Sequence, residues 1–151
     1  MTEKVVAVRT SRRLIGLAAF AGRQLHHADI LQLSSSETTA QSSALGFVRR
    51  TISRFAVDAV AIETPPNRDT RATALVRLVV YTLHREGVPV WKVELTDMLG
   101  AFGIPPLASR AQLRFVGASF WPILDGTGRR ALVLDAALLG LYIQVERLLN
   151  H

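Results

Sequence analysis

The sequence predicts an α/β fold: a five-stranded mixed sheet, three antiparallel strands followed by parallel ones, flanked by helices. Three observations predict it. The first 33 residues hold three apolar runs separated only by short turns, which demands antiparallel neighbours. Two later apolar runs, 57–63 and 88–95, each follow a segment of helical period, which demands right-handed crossovers to parallel strands. A long apolar segment of helical length closes the chain at 131–149.

Each element has its own warrant. Residues 4–10 read as a strand apolar enough to be buried on both faces. Residues 13–20 and 23–33 read as the next two strands, with Ala21-Gly22 as the hairpin turn between them. Ser34 and, three residues on, Glu37 form a capping-box pattern that starts a helix. Ala40, Ala44, Leu45, Val48, Ile52 and Phe55 then share one face, opposite Arg49, Arg50 and Arg54. VDAVAIE, 57–63, is a short buried strand ending on Glu63 and broken by TPPN. A second helix covers 70–86 and stops at Gly87, and 88–95 forms the fifth strand. The stretches TDMLGAF and PLASRAQLRFVGASFWPIL are helical in part, 125–130 is a loop, and 131–149 is the final helix.

With 151 residues, 49% hydrophobic and 20% charged, the chain can bury one sizeable core, so a single domain over 1–151 is expected. There is no cysteine, which excludes disulfides, thiolate zinc sites and a cysteine nucleophile. The N-terminus lacks the pattern of a signal peptide, and the stretch 131–145 is shorter than the roughly 20 residues of a membrane span. A cytoplasmic location and no membrane partner are the expectation. Net charge is +6, almost entirely from arginine, since lysine occurs only at Lys4 and Lys92. Arginine's planar fork suits phosphate, so the charge is compatible with a nucleic-acid partner and equally with an ordinary basic surface.

Candidate chemistry lies at the carboxyl ends of the strands, where open sheets of this kind place their ligands. Glu63 ends the fourth strand and Arg9 ends the first, its expected neighbour. Asp135 stands among apolar residues in ALVLDAALLG, where burying its charge costs several kcal/mol unless it is paired or metal-bound. Two converging carboxylates would suit Mg²⁺ or Mn²⁺, and a metal pair can clamp a phosphodiester. Taken singly, a strand-end glutamate is more often solvated, and an aspartate near a helix start is favoured by the helix dipole.

The order of elements and these residues together resemble the RNase H-like superfamily, and within it the RuvC group of Holliday junction resolvases. That family opens with an apolar strand, then Asp-Pro-Gly-Ser-Arg, two residues and a glycine. Here the corresponding run is Arg9-Thr10-Ser11-Arg12-Arg13, with Gly16 at the same distance. AIETPPN places Glu63 where the family has a catalytic glutamate. ASRAQLRFV is similar to a later Lys-x-x-Val pattern with Arg110 in place of the lysine, and LDAALLGLYI is similar to the family's last helix through Asp135 and Ala136.

Two positions depart from the pattern. Arg9 stands where the resemblance implies a metal-binding aspartate, and Leu132 where it implies an acid or histidine three residues before Asp135. Arginine is permanently charged and cannot ligate a metal. The expectation is therefore that Arg9 pairs with Glu63, Asp135 or both, replacing metal–carboxylate bonds. The resemblance then implies a nucleic-acid-binding domain with impaired or lost metal-dependent cleavage and no resident cofactor. Its remnant acidic site is Glu63 and Asp135, and its candidate DNA contacts, placed on the rim, are Arg12, Arg13, Arg68, Arg71 and Arg110.

Two alternatives differ in class. One is an active Mg²⁺- or Mn²⁺-dependent endonuclease whose missing ligand comes from Asp69, Glu94, Asp97 or Asp125, with Glu63 and Asp135 as metal ligands. The other is a homodimeric interaction module, suggested by a final helix apolar almost all round. A homodimer is also what the resemblance implies. A sugar-kinase or actin-like ATPase is disfavoured, because the chain lacks the length for two such domains and their glycine-rich loops. His26 and His27 face opposite ways along a strand and make a poor metal pair, and His84 and His151 have no evident partner. Trp91 and Trp121 read as core or interface residues rather than base-stacking platforms.

Overall fold

The computed structural model describes residues 3–105, 110–121, 124 and 129–149. Its strands are β1 (Lys4–Thr10), β2 (Leu14–Ala21), β3 (Gln24–Gln32), β4 (Ala59–Glu63) and β5 (Val90–Val93). Its helices are α1 (Glu37–Phe55), α2 (Thr70–Arg85), α3 (Leu95–Ala101), α4 (Arg110–Phe120) and α5 (Arg129–Leu149). The strands form one sheet in the order β3-β2-β1-β4-β5. β1, β2 and β3 pair antiparallel, while β1–β4 and β4–β5 pair parallel. The predicted fold class is therefore observed.

Strand alternation divides the core into two layers. Val6 and Val8 of β1 and Val60 and Ile62 of β4 pack under α1 and α2, with Ala44, Val48, Leu75 and Val79. Val5, Ala7 and Ala61 face the other way, against Leu134, Leu138 and Leu139 of α5. Small residues let α5 approach closely. A Cβ on Gly16 of β2 would stand 2.8 Å from the Leu132 carbonyl oxygen, so the first turns of α5 rest on that glycine's backbone. Gly140 gives way in the same manner to the ring of Phe20, and Trp121 meets that ring edge-on, centroids 6.0 Å apart.

Several local expectations are corrected. The N-cap of α1 is Ser36, whose hydroxyl accepts the Thr39 N–H. The Ser34 hydroxyl instead accepts the Ser36 N–H, so Ser34 shapes the approach to the helix and does not cap it. Gly22 (φ 58°) and Arg23 make the β2–β3 turn, because Ala21 still pairs with Gln24. α5 begins at Arg129, inside the stretch expected to be a loop. Gly87 does end α2, in the left-handed region at φ 79°. There the Val88 N–H reaches the Leu83 carbonyl and the Gly87 N–H that of His84, a Schellman closure. α1 ends the same way on a non-glycine, Ala56 at φ 50°.

The apolar circumference of α5 has an internal explanation. Residues 131–140 are all buried, between the sheet on one side and α3 and α4 on the other. The surplus that suggested a dimer surface is thus taken up within the chain along that stretch. No helix among the described residues is long and apolar enough to cross a membrane.

Candidate functional site

The layer division decides what stands at the carboxyl end of the sheet. Arg9 continues the Val5–Ala7 side of β1, and Glu63 continues the Ala61 side of β4. Val8 lies opposite Ile62 in the parallel register, so the next residues along, Arg9 and Glu63, are neighbours on the α5 face. Asp135 descends onto the same spot from the second turn of α5. Both acids are almost completely sealed from solvent, Glu63 at 1% exposure and Asp135 at 0%. Unpaired charges there would be strongly destabilising.

They are paired by three arginines. Arg9 Nε lies 3.1 Å from Glu63 Oε2 and 3.9 Å from Asp135 Oδ2, and an Arg9 Nη1 N–H donates to the Thr10 carbonyl oxygen. Arg110, from the first turn of α4, sets its two terminal nitrogens on Glu63, with Nη1 donating to Oε1 at 3.1 Å and Nη2 to Oε2. Its Nη1 also lies 3.4 Å from Asp135 Oδ2. Arg114, one turn further along α4, grips Asp135 side-on, Nε to Oδ1 at 2.9 Å and Nη2 to Oδ2 at 2.8 Å. Such two-pronged charge-assisted pairs are the strong form of the salt bridge. Arg9, expected to pair with Glu63, Asp135 or both, lies within ion-pair distance of each.

Three cations against two anions leave the cluster with an excess positive charge. Burial, more than any neighbour, pulls Arg9 below the ordinary guanidinium value; Arg110 and Arg114 add to this, while Glu63 and Asp135 oppose it. Burial also opposes the charge on Arg110, but its hydrogen bond to Glu63 and the charges of Glu63 and Asp135 prevail and raise it. Arg9 Nε is buried with no hydrogen-bond partner, despite lying close to Glu63. The cluster is short of acceptors, not of donors.

The residues present do not fit a divalent ion. Magnesium takes oxygen ligands at about 2.0–2.1 Å in a near-octahedral shell. All four carboxylate oxygens already face guanidinium nitrogens, and Arg9 brings a permanent charge of the wrong sign. Two of the suggested replacement ligands are occupied at helix starts. Asp69 accepts the Ala72 N–H at 3.0 Å at the start of α2, and Asp97 accepts the Glu94 N–H at 3.3 Å at the start of α3. Asp125 lies outside the described residues. Among the described residues, no three His, Cys, Asp or Glu side chains are grouped to hold a metal.

The arginines expected on the rim divide into three kinds. Arg12 and Arg13 are exposed in the β1–β2 turn, and Arg68 is exposed in the loop after β4, all at the cluster's end of the sheet. Arg71 is partly buried and donates to the Ser34 carbonyl oxygen, tying α2 to the approach of α1. Arg110 is in the cluster itself, not on its rim, because its guanidinium forks onto buried Glu63 and also reaches Asp135. Arg114 was not anticipated. Its signal was its spacing: four residues after Arg110, it shares a helix face with it.

The minor expectations are met where they can be seen. Trp91 and Trp121 pack against the α5 side of the core. His26 is exposed, while His27 stacks on Phe55, centroids 5.1 Å apart. His151 lies outside the described residues.

The strand order, its mixed pairing and the helix α5 crossing the sheet define an RNase H-like fold of the RuvC kind. No protein-family model matches the sequence, and no curated protein matches it. Solved structures do. The chain is similar to RuvC of Thermus thermophilus at a TM-score of 0.76 and 17% identity, covering 96% of both chains. The same organism's RuvC in complex with a Holliday junction substrate matches at 0.75 and 18% identity, covering 97% of this chain and 96% of that one. The yeast mitochondrial Holliday junction resolvase Ydc2 matches at 0.67 and 10% identity, covering 99% of this chain and 84% of that one.

Proposed function

We propose that this chain is a RuvC-like nucleic-acid-binding protein, related to the Holliday junction resolvases, in which metal-dependent phosphodiester cleavage has been lost. The observation that carries the reading is Arg9, partly buried against Glu63 and Asp135 where the RuvC pattern has an acid. Without a divalent ion there is no Lewis acid to polarise a phosphoryl oxygen and no activated water. The positive side of the reading rests on different observations. The net charge is +6, and Arg12, Arg13 and Arg68 stand exposed at the cluster's end of the sheet. The structural neighbour solved with a Holliday junction supports branched DNA as the partner. A homodimer in the cytoplasm, matching the two-fold symmetry of a four-way junction, completes the proposal.

A gel-shift assay with four-way junction, duplex and single strand tests it. Binding at low salt is expected, falling steeply as salt rises, with log K slope about −0.9 per neutralised phosphate on duplex. No cleavage is expected in Mg²⁺ or Mn²⁺. Absence of binding at low salt removes the nucleic-acid reading. Cleavage that Glu63→Gln abolishes establishes the rebuilt nuclease instead.

A further inference from the structure

We infer that the Arg9–Arg110–Arg114 cluster is an oxyanion site, and that it takes a phosphate group directly where the RuvC pattern would use a metal ion. The inference deepens the proposed function and rests on it for the occupant, a backbone phosphate of nucleic acid.

Donor accounting leads there. Three guanidinium groups bring about fifteen N–H donors. Facing them are the four oxygens of Glu63 and Asp135 and the carbonyl of Thr10. Arg9 Nε, inside the cluster, already goes without an acceptor. Arg114 spends Nε and Nη2 on Asp135, which leaves its Nη1 outside the Asp135 fork and without a hydrogen bond among the described residues. Its side chain is 36% exposed, against 18% for Arg110 and 12% for Arg9, so the cluster opens to solvent on the Arg114 side.

Charge accounting agrees. The buried acids fix two of the three cations, and the third charge has no counter-ion in the chain among the described residues. An anion meeting the open edge gains from a positive site held rigid by forks on buried carboxylates, with no reorganisation to pay for at the moment of binding. A planar guanidinium with free N–H groups suits a tetrahedral phosphate. Glu63 and Asp135 thus act as positioning residues, holding Arg110 and Arg114 in place.

The test measures melting temperature in sodium phosphate against sodium chloride at matched ionic strength. It also measures affinity for a four-way junction, for wild type, Arg114→Lys and, as a remote control, Arg23→Ala. Arg114→Lys keeps a positive charge on Asp135, so the buried acid stays paired, but loses the remaining guanidinium N–H donors. Phosphate is expected to raise the wild-type melting temperature above chloride and to lose that effect in Arg114→Lys. Junction affinity should fall about tenfold in Arg114→Lys and stay unchanged in Arg23→Ala. Equal melting in phosphate and chloride, with junction binding intact and indifferent to Arg114→Lys, overturns the oxyanion site and leaves the nucleic-acid reading standing. Phosphate stabilisation lost in Arg114→Lys, without junction binding, keeps the oxyanion site, identifies its occupant as a small phosphate, and removes the nucleic-acid reading.

Discussion

Replacing Glu63 by glutamine distinguishes a cation-filled acidic site from a vacant metal site by the sign of the stability change. Glu63 is 1% exposed and receives the Arg110 fork, with Arg9 Nε 3.1 Å away. The amide removes one of only two anions and turns an NH₂ group toward guanidinium donors. Three buried or half-buried cations would then share Asp135 alone. Breaking a buried pair by removing one partner costs about 3–5 kcal/mol. At about 2–4 °C per kcal/mol for a chain of this size, the melting temperature should fall by roughly 6–20 °C. Differential scanning calorimetry reads the shift directly. Were the two acids instead the core of a metal site in the apo form, their mutual repulsion would dominate, and the amide would relieve it. A melting temperature that rises or holds steady in Glu63→Gln therefore refutes the ion-pair account.

Three further outcomes follow from other parts of the fold. Gly16→Ala would push a Cβ to 2.8 Å from the Leu132 carbonyl, backbone that can move only with α5, so a loss of about 1–3 kcal/mol is expected by urea denaturation. Ala56 holds a left-handed conformation at φ 50° that costs a non-glycine residue about 1–2 kcal/mol, so Ala56→Gly should stabilise the chain, visible as a higher melting temperature; a drop contradicts the capping analysis. Burial, aided by Glu146 and Asp97, raises the Tyr142 phenol above its ordinary value. The folded state thus holds that proton more tightly than the unfolded chain, and this contribution to stability is lost as pH rises past 10 through the raised value. Tyr142→Phe should flatten that alkaline decline, and tyrosinate absorbance in the wild type should rise later than in the unfolded chain.

Much of this architecture was legible because apolar period and turn chemistry act locally. The three opening strands, Gly87 as a helix stop and the short buried strand ending at Glu63 all follow from such signals. The pairing of Arg9 with Glu63 and Asp135 was legible for a different reason, since a buried acid among leucines requires a counter-ion. Arg114 escaped because hydrophobic patterning assigns charged residues to solvent. Two sealed carboxylates turn that face of α4 inward, a property of the assembled sheet end that periodicity cannot register. The choice of Ser36 over Ser34 as cap was hidden for a related reason: in a run of three serines, the path of the chain out of β3 decides which hydroxyl meets the helix N–H groups.

The central claim, that Arg9 fills the place of a divalent ion, is tested most directly by titrating Mn²⁺ into wild type and Arg9→Asp while following thermal stability. The wild type should show no stabilisation. Arg9→Asp, with three acids against two arginines, should be less stable without metal and regain about 2.7 kcal/mol at a hundredfold excess over Kd, a rise of roughly 5–11 °C. Saturable stabilisation of the wild type by Mn²⁺, with Arg9→Asp no better, would show that the ion and the guanidinium coexist and that the site was never closed to metal.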